Sequence, residues 1–337
     1  MVRKMKVFIN YLLNIFKKNF ISIIFLIFII CVIYIKVPYT VYCPGGTINI
    51  EERLSNPVYK SKGSLNLTYV STLDGNLVTY LLGLILPNWD LVKNEEILME
   101  DEDMEELTLR ETISLYESIS NATLNAYMQA GIDVNITSKN FYVYYILKDK
   151  AETTLKIGDR IISYDGVSFD EHTNLLEYIS KKNVGDKIKF TVDRFGTKIE
   201  AYAVVKEIEG RKIIGIVIDT IFDYDNNPDV KYSYHESEIG SSGGLMLSLS
   251  IYNALVESDI TKGRKISGTG TIDIEGNVGP IGGVTYKIKG AVDGKSDIFI
   301  VPSDNYEEAK EYVKKRKYKI KLIKAENFKQ VLESLDE

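Results

Sequence analysis

Two glycine-rich segments of the 337-residue chain carry side chains that could do covalent chemistry. In the first, Gly240-Ser241-Ser242-Gly243-Gly244 leads into Leu245, Leu249, Tyr252 and Val256, which recur at helical spacing. Glycines let a backbone turn sharply and approach a ligand closely, and the free N–H groups at a helix start can hold a developing oxyanion. Ser242 is therefore a candidate nucleophile, with Ser241 beside it and Gly243 supplying an N–H; a serine that merely caps the helix is the alternative. In the second, Gly279-Pro280-Ile281-Gly282-Gly283 enters a helix on which Val284, Lys287, Ile288 and Ala291 fall on one stripe at ~100° per residue, with Lys289 on the opposite side. Desolvation lowers the pKa of a lysine aimed at an apolar face and makes it a general base. Snorkelling, which buries only the stem, is the other reading.

Other chemistries have little to draw on. Only two histidines, His172 and His235, and two cysteines, Cys31 and Cys43, occur, so a His-x-x-x-His or paired Cys-x-x-Cys metal site is impossible. His235 precedes Ser242 by seven residues and reads as a surface or loop histidine. The acidic run from Asn94 to Glu106 lacks the spaced loop and glycine of a calcium site and reads as a solvated helix face. No GxxxxGK[ST] loop occurs, so no nucleotide is expected as a partner. With 47 acidic against 41 basic side chains, a net charge of −6 and no dominant basic block, nucleic acid is not expected either. No cofactor and no metal are expected.

The elements that must position the serine and the lysine lie in the last third. Strand Ile213–Asp219, helix Gly244–Glu257, strands around Ile266–Ile274, helix Gly283–Val292, strand Asp297–Val301, helix Asn305–Lys315, strand Lys317–Ile323 and helix Glu326–Leu335 make an α/β unit. Between Ile132 and Glu207 short strands, one helix and turns at Gly158-Asp159, Asp165-Gly166 and Arg194-Phe195-Gly196 make a small β-rich module. Gly63–Thr72 alternates as a strand that needs a sheet, so residues 45–130 are expected to pack on the C-terminal unit; the apolar run that ends near Pro87 reads as a buried helix. Nearer the start, Phe20–Ile35 is uncharged, and ~20 apolar residues cross a bilayer. Arg3, Lys4, Lys6, Lys17 and Lys18 precede it without an acidic residue. The expectation is a basic cytoplasmic tail over 1–18, a transmembrane helix over 19–37 with the membrane as partner, and an extracytoplasmic body.

The segment Leu155-Lys-Ile-Gly-Asp-Arg-Ile-Ile-Ser-Tyr-Asp-Gly resembles the Leu-Lys-x-Gly-Asp-x-Ile-x-x-x-(Asn/Asp)-Gly stretch of PDZ domains. That resemblance implies a groove in which a peptide adds as an extra strand, although the family's Gly-x-Gly loop is not evident near Phe141–Leu147. The order Gly-Ser-Ser-Gly-Gly, then Gly268-Thr-Gly-Thr-Ile, then Gly279-Pro-Ile-Gly-Gly-x-x-x-Lys, with forty-five residues from Ser242 to Lys287, resembles the Lon protease catalytic domain, a serine–lysine dyad peptidase. It covers Ile213 to the end. With the apolar N-terminus and the PDZ-like module, the chain is similar to the membrane-bound, PDZ-containing Lon-like proteases of Gram-positive bacteria.

The resemblance implies Ser242 as nucleophile, Lys287 as base and Thr269 as a hydrogen-bond partner near the lysine. The pattern's Gly-Pro-Ser-Ala-Gly is here Gly240-Ser241-Ser242-Gly243-Gly244, without the proline, and the family's ATPase module is absent. The expected fold is an α/β (α+β) Lon-type protease domain over 208–337 and a PDZ-like domain over 131–207, preceded by one transmembrane helix. The expected function is that of a membrane-anchored, ATP-independent serine endopeptidase acting on extracytoplasmic peptides or flexible segments. A catalytically inactive peptide-binding scaffold is the alternative.

Overall fold

The computed structural model describes Met5, residues 15–170 and residues 172–336. The chain divides into two units, Met1–Pro44 with Ser71–Ile97, and Gly45–Val70 with Leu98–Glu337.

In the first unit the apolar run Phe20–Ile35 is helical as far as Tyr34. Helix α1 (Phe20–Tyr34) has 15 residues, about 22 Å at ~1.5 Å per residue, short of the ~30 Å hydrocarbon core. The Ile35 carbonyl is already taken by the Leu77 N–H at 3.0 Å. Lys36 then opens strand β1 (Lys36–Asn49). Strand β2 (Ser64–Asn76) leads into helix α2 (Leu77–Ile85), which starts on an Asn76/Thr79 capping box. Strand β3 (Asp90–Lys93) pairs antiparallel with Tyr39–Tyr42 of β1. Among the described residues no helix is long and apolar enough to cross a membrane. This overturns the single-pass localisation, and it leaves the transmembrane helix expected over 19–37 and the membrane as a partner without support: the helix ends at Tyr34 and a strand opens at Lys36. Arg3, Lys4 and Lys6 of the basic tail lie outside the described residues. Helix α2, expected to be buried, has no buried residue.

The acidic run, which starts in the first unit and ends in the second, is not one solvated helix face. A four-residue helical turn, Asn94–Ile97, is followed by a break. Asp103 then caps a 26-residue helix, α3 (Met104–Gln129), accepting from the Glu105 and Glu106 N–H groups at 2.9 Å each. Glu102 is buried and bidentate with Arg110, at 2.7 and 3.2 Å. Much of the buried face of α3 is polar: Ser114, Ser118, Ser120, Asn121, Thr123 and Asn125.

A β-rich module follows. Strand β4 (Asn135–Ile146) pairs antiparallel with β5 (Arg160–Tyr164). Helix α4 (His172–Ser180) separates β5 from β6 (Lys187–Arg194), and β6 forms a hairpin with β7 (Thr197–Val204). Apolar residues alternate inward, as along β6, where Ile188, Phe190 and Val192 are fully buried. The other edge of this sheet is strand β8 (Ile216–Asp225), antiparallel to β4 over most of its length. The strand expected at 213–219 and assigned to the C-terminal unit thus starts three residues later and completes the β-rich module, because Lys206–Ile208 and Arg211–Ile213 first form a small hairpin.

The rest is layered α/β. Helix α5 (Gly244–Leu255) is followed by β9 (Lys265–Gly268), α6 (Val284–Asp293), β10 (Ile298–Pro302), α7 (Tyr306–Arg316), β11 (Lys321–Ala325) and α8 (Phe328–Asp336). Strands β11, β10 and β9 and the first part of β2 lie side by side, all parallel. Every residue of β10 is buried, as expected of a parallel strand covered on both faces. Leu65, Leu245, Leu249, Ile266, Ile300 and Phe328 belong to the core that joins β2, α5, β9, β10 and α8.

Candidate active site

The loop 240–243 enters α5 between two supports. Gly240 sits at φ +86°, where a side chain would be strained, and its N–H donates to the Glu111 carbonyl of α3 at 2.8 Å. The Ser241 carbonyl accepts from Ser118 Oγ at 3.0 Å and from the Gly244 N–H at 3.1 Å. The Ser242 carbonyl accepts from Thr269 Oγ1 at 2.9 Å and from the Gly270 N–H at 2.8 Å, both in the turn after β9. Ser241, Ser242 and Gly243 are half-buried. The N–H groups of Ser242 and Gly243 have no backbone acceptor among the described residues, as is usual where a helix begins.

Lys287 reaches the same place from α6. Gly283 takes a left-handed conformation (φ +68°) with Val70 and Tyr286 close by, so the helix can start tightly there. Val284, Lys287, Ile288 and Ala291 are buried on one face. Lys289, on the other, pairs with Asp293. Lys287 is 3% exposed, and its Nζ donates to Thr269 Oγ1 at 3.1 Å. Burial pushes its ammonium down to about 7. The Thr269 hydroxyl has one proton and gives it to the Ser242 carbonyl, so it can only accept from the lysine. A neutral Lys287 amine keeps its lone pair free.

Thr269 thus links the lysine to the backbone of the serine. Ser241, Ser242, Gly243, Thr269 and Lys287 come together in one place; His235 instead bonds locally to Ser237. No group of side chains that could hold a metal occurs among the described residues. Gly270 belongs to the Gly268-Thr-Gly-Thr-Ile motif, whereas Ser118 and Glu111 have no sequence signal, since a serine inside a helix and a backbone carbonyl leave no pattern to read.

A second feature lies on the β-rich module. Leu175, Leu176 and Ile179 of α4 face Ile213, Ile214, Ile216 and Ile218 across a cavity of about 120 Å³. One wall includes the start of the edge strand β8, where Gly215 has φ +73°. Lys212 Nζ donates to the Ser180 and Lys182 carbonyls at the end of α4, tying the helix to the short strand Arg211–Ile213 that precedes β8. The glycine bend beside the groove is therefore at Gly215 and not near Phe141–Leu147.

The family model of the Lon protease (S16) C-terminal proteolytic domain matches residues 237–336, and that of the PDZ domain matches residues 129–205. The archaeal Lon protease of Thermoplasma volcanium is 26% identical over 141 residues, and that of Thermoplasma acidophilum 25%. Each match spans 41% of this chain and only 18% of the relative. Among solved structures, the PDZ domain of the SdrC-like protein from Listeria monocytogenes matches 25% of this chain and 92% of its own at 26% identity, with a TM-score of 0.23. That of the SdrC-like protein from Listeria innocua matches 23% and 92% at 29% identity, with a TM-score of 0.22. The chain thus carries, in order, a region that matches the PDZ domain and one that matches the proteolytic domain of Lon.

Proposed function

We propose that the protein is a serine endopeptidase in which Ser242 and Lys287 form the catalytic dyad. The observation that carries this reading is the desolvated Lys287 amine, lowered to about 7 and linked through Thr269 to the backbone of Ser242. Neutral Lys287 takes the Ser242 hydroxyl proton as Oγ attacks a peptide carbonyl. The Ser242 and Gly243 N–H groups stabilise the oxyanion. The C–N bond then breaks, the protonated lysine gives its proton to the leaving amine, and an acyl-enzyme remains for water to hydrolyse with Lys287 again as base.

Cleavage proceeds without nucleotide hydrolysis in this reading, since the 337 residues contain no GxxxxGK[ST] loop. The substrate is then a short peptide or a flexible segment. The aliphatic groove between α4 and Ile213–Ile218 fits an extended peptide that adds to the sheet edge and inserts an apolar side chain.

The test is hydrolysis of a peptide mixture without added nucleotide by the wild type, Ser242→Ala and Lys287→Met. Turnover confined to the wild type, with a serine-directed fluorophosphonate attached to Ser242, is the expected result. Equal turnover in all three removes the dyad, and none in the wild type leaves a peptide-binding scaffold.

A further inference from the structure

The Gly240–Gly244 loop lacks the proline that the Lon-type pattern carries before the serine, so its rigidity must come from outside it. Ser118, buried at 5% exposure in the middle of α3, is placed to supply it. Three threonines of the same helix, Thr108, Thr112 and Thr123, turn their hydroxyls back to the carbonyl four residues earlier. Ser118 gives its one hydroxyl proton to Ser241 O instead, 123 residues away in sequence. The fit leaves little room: a Cβ on Gly244 would lie 2.6 Å from Ser118 Oγ, so the glycine at 244 is the space that the hydroxyl occupies.

A trans peptide is planar, with its C=O and N–H pointing in opposite directions. Holding Ser241 O from the α3 side turns the Ser242 N–H away from α3. In the next plane, Thr269 and Gly270 hold Ser242 O and turn the Gly243 N–H away from their own turn. The second plane is fixed by the lysine's partner. The first takes its only side-chain bond from Ser118 among the described residues.

We propose that Ser118 is a positioning residue that sets the direction of the Ser242 N–H, and with it one of the two donors to the oxyanion. This rests on the reading of Ser242 and Lys287 as the dyad. Ser118 touches neither the substrate nor the reacting atoms; it acts through the Ser241–Ser242 peptide plane.

The experiment compares Ser118→Ala and Ser118→Thr with the wild type and Ser242→Ala, using a short fluorogenic peptide and a peptidyl boronate as a tetrahedral mimic. Ser118→Ala is expected to lower kcat about tenfold or more, with KM within about twofold, and to weaken boronate inhibition by the same factor. Its acidic limb stays near pH 7, because Lys287 is untouched. Ser118→Thr restores the hydroxyl and recovers most of the rate. If Ser118→Ala does not fold, Ser118→Cys, with a much weaker donor, takes its place with the same expected direction. Unchanged kcat, a loss confined to KM, boronate inhibition that does not follow kcat, or no recovery in Ser118→Thr overturns the proposal while the dyad stands. Equal turnover in the wild type and Ser242→Ala instead removes the dyad, and Ser118's role with it.

Discussion

Lys287 is the side chain whose environment most changes its chemistry, and two consequences can be measured. As the proposed base it must be neutral, so kcat/KM should rise with pH through about 7 and level off above it. Stability should run the same way. The folded-state pKa of about 7 lies below the ordinary 10.5, so folding releases a proton between these limits. The penalty for burying the lysine is complete below pH 7 and fades as pH rises toward 10.5. Lys287→Met should therefore abolish turnover yet stabilise the fold at pH 7 by roughly 4 kcal/mol, and the gain should shrink at pH 10; parallel urea titrations check this. Thr269→Val removes both the acceptor of the lysine and a donor to Ser242 O. It should slow turnover roughly tenfold to a hundredfold and move the acidic limb below pH 7, since the ammonium loses its hydrogen-bond partner. Much of this was readable from sequence, because helical period alone sets Lys287 beside Val284 and Ile288 and Lys289 opposite. The choice between a buried and a snorkelling amine was not readable, since it depends on β9 and its turn, which cover the lysine from elsewhere in the chain.

Among the elements, α3 does most to hold the loop and was the least visible in advance. Its start carries a plain signal, Asp103-x-x-Glu106, but that box closes an acidic run and was absorbed into it. Its body gives little hydrophobic period, because what it buries is largely serine, threonine and asparagine that bond to neighbours: Ser118 to the loop, Ser120 to Phe222 of β8, and Asn125 to Ser248 of α5. Apolar periodicity reports helices that bury hydrocarbon, and this one buries hydrogen bonds. The helix is also tied at its start by the Arg110–Glu102 pair, with both side chains at 7% exposure or less. Glu102→Ala removes the bidentate partner, leaves the guanidinium with Glu111 and Tyr144, and should cost about 1–3 kcal/mol in urea unfolding. The apolar N-terminal run failed in the opposite sense. Composition made 19–37 one span, but the helix stops at Tyr34, a strand opens at Lys36 and the Leu77 N–H takes the Ile35 carbonyl; pairing between distant segments is invisible to a window of neighbouring residues.

At the scale of the whole chain, the proposed function makes peptide capture and cleavage separable, since the regions that match the PDZ domain and the Lon proteolytic domain follow one another in the chain. Leu176 is 53% exposed and lines the groove, so Leu176→Asp should leave the fold intact. It should raise KM for long peptides several-fold and affect tetrapeptides less; steady-state kinetics on a peptide-length series checks this. The two regions do not divide where sequence texture changes. Strand β8 completes the β-rich sheet against β4, and Ser120 of α3 joins it through Phe222. A fragment trimmed at residue 207 would strip β4 of its neighbour and bare a row of unpaired backbone groups, a template for sticking to other copies. A fragment carried on to residue 225 would keep that edge covered. Sedimentation should find the shorter piece self-associated and the longer one less so. Anyone borrowing this β-rich part for another scaffold would have to take the strand beyond its apparent end.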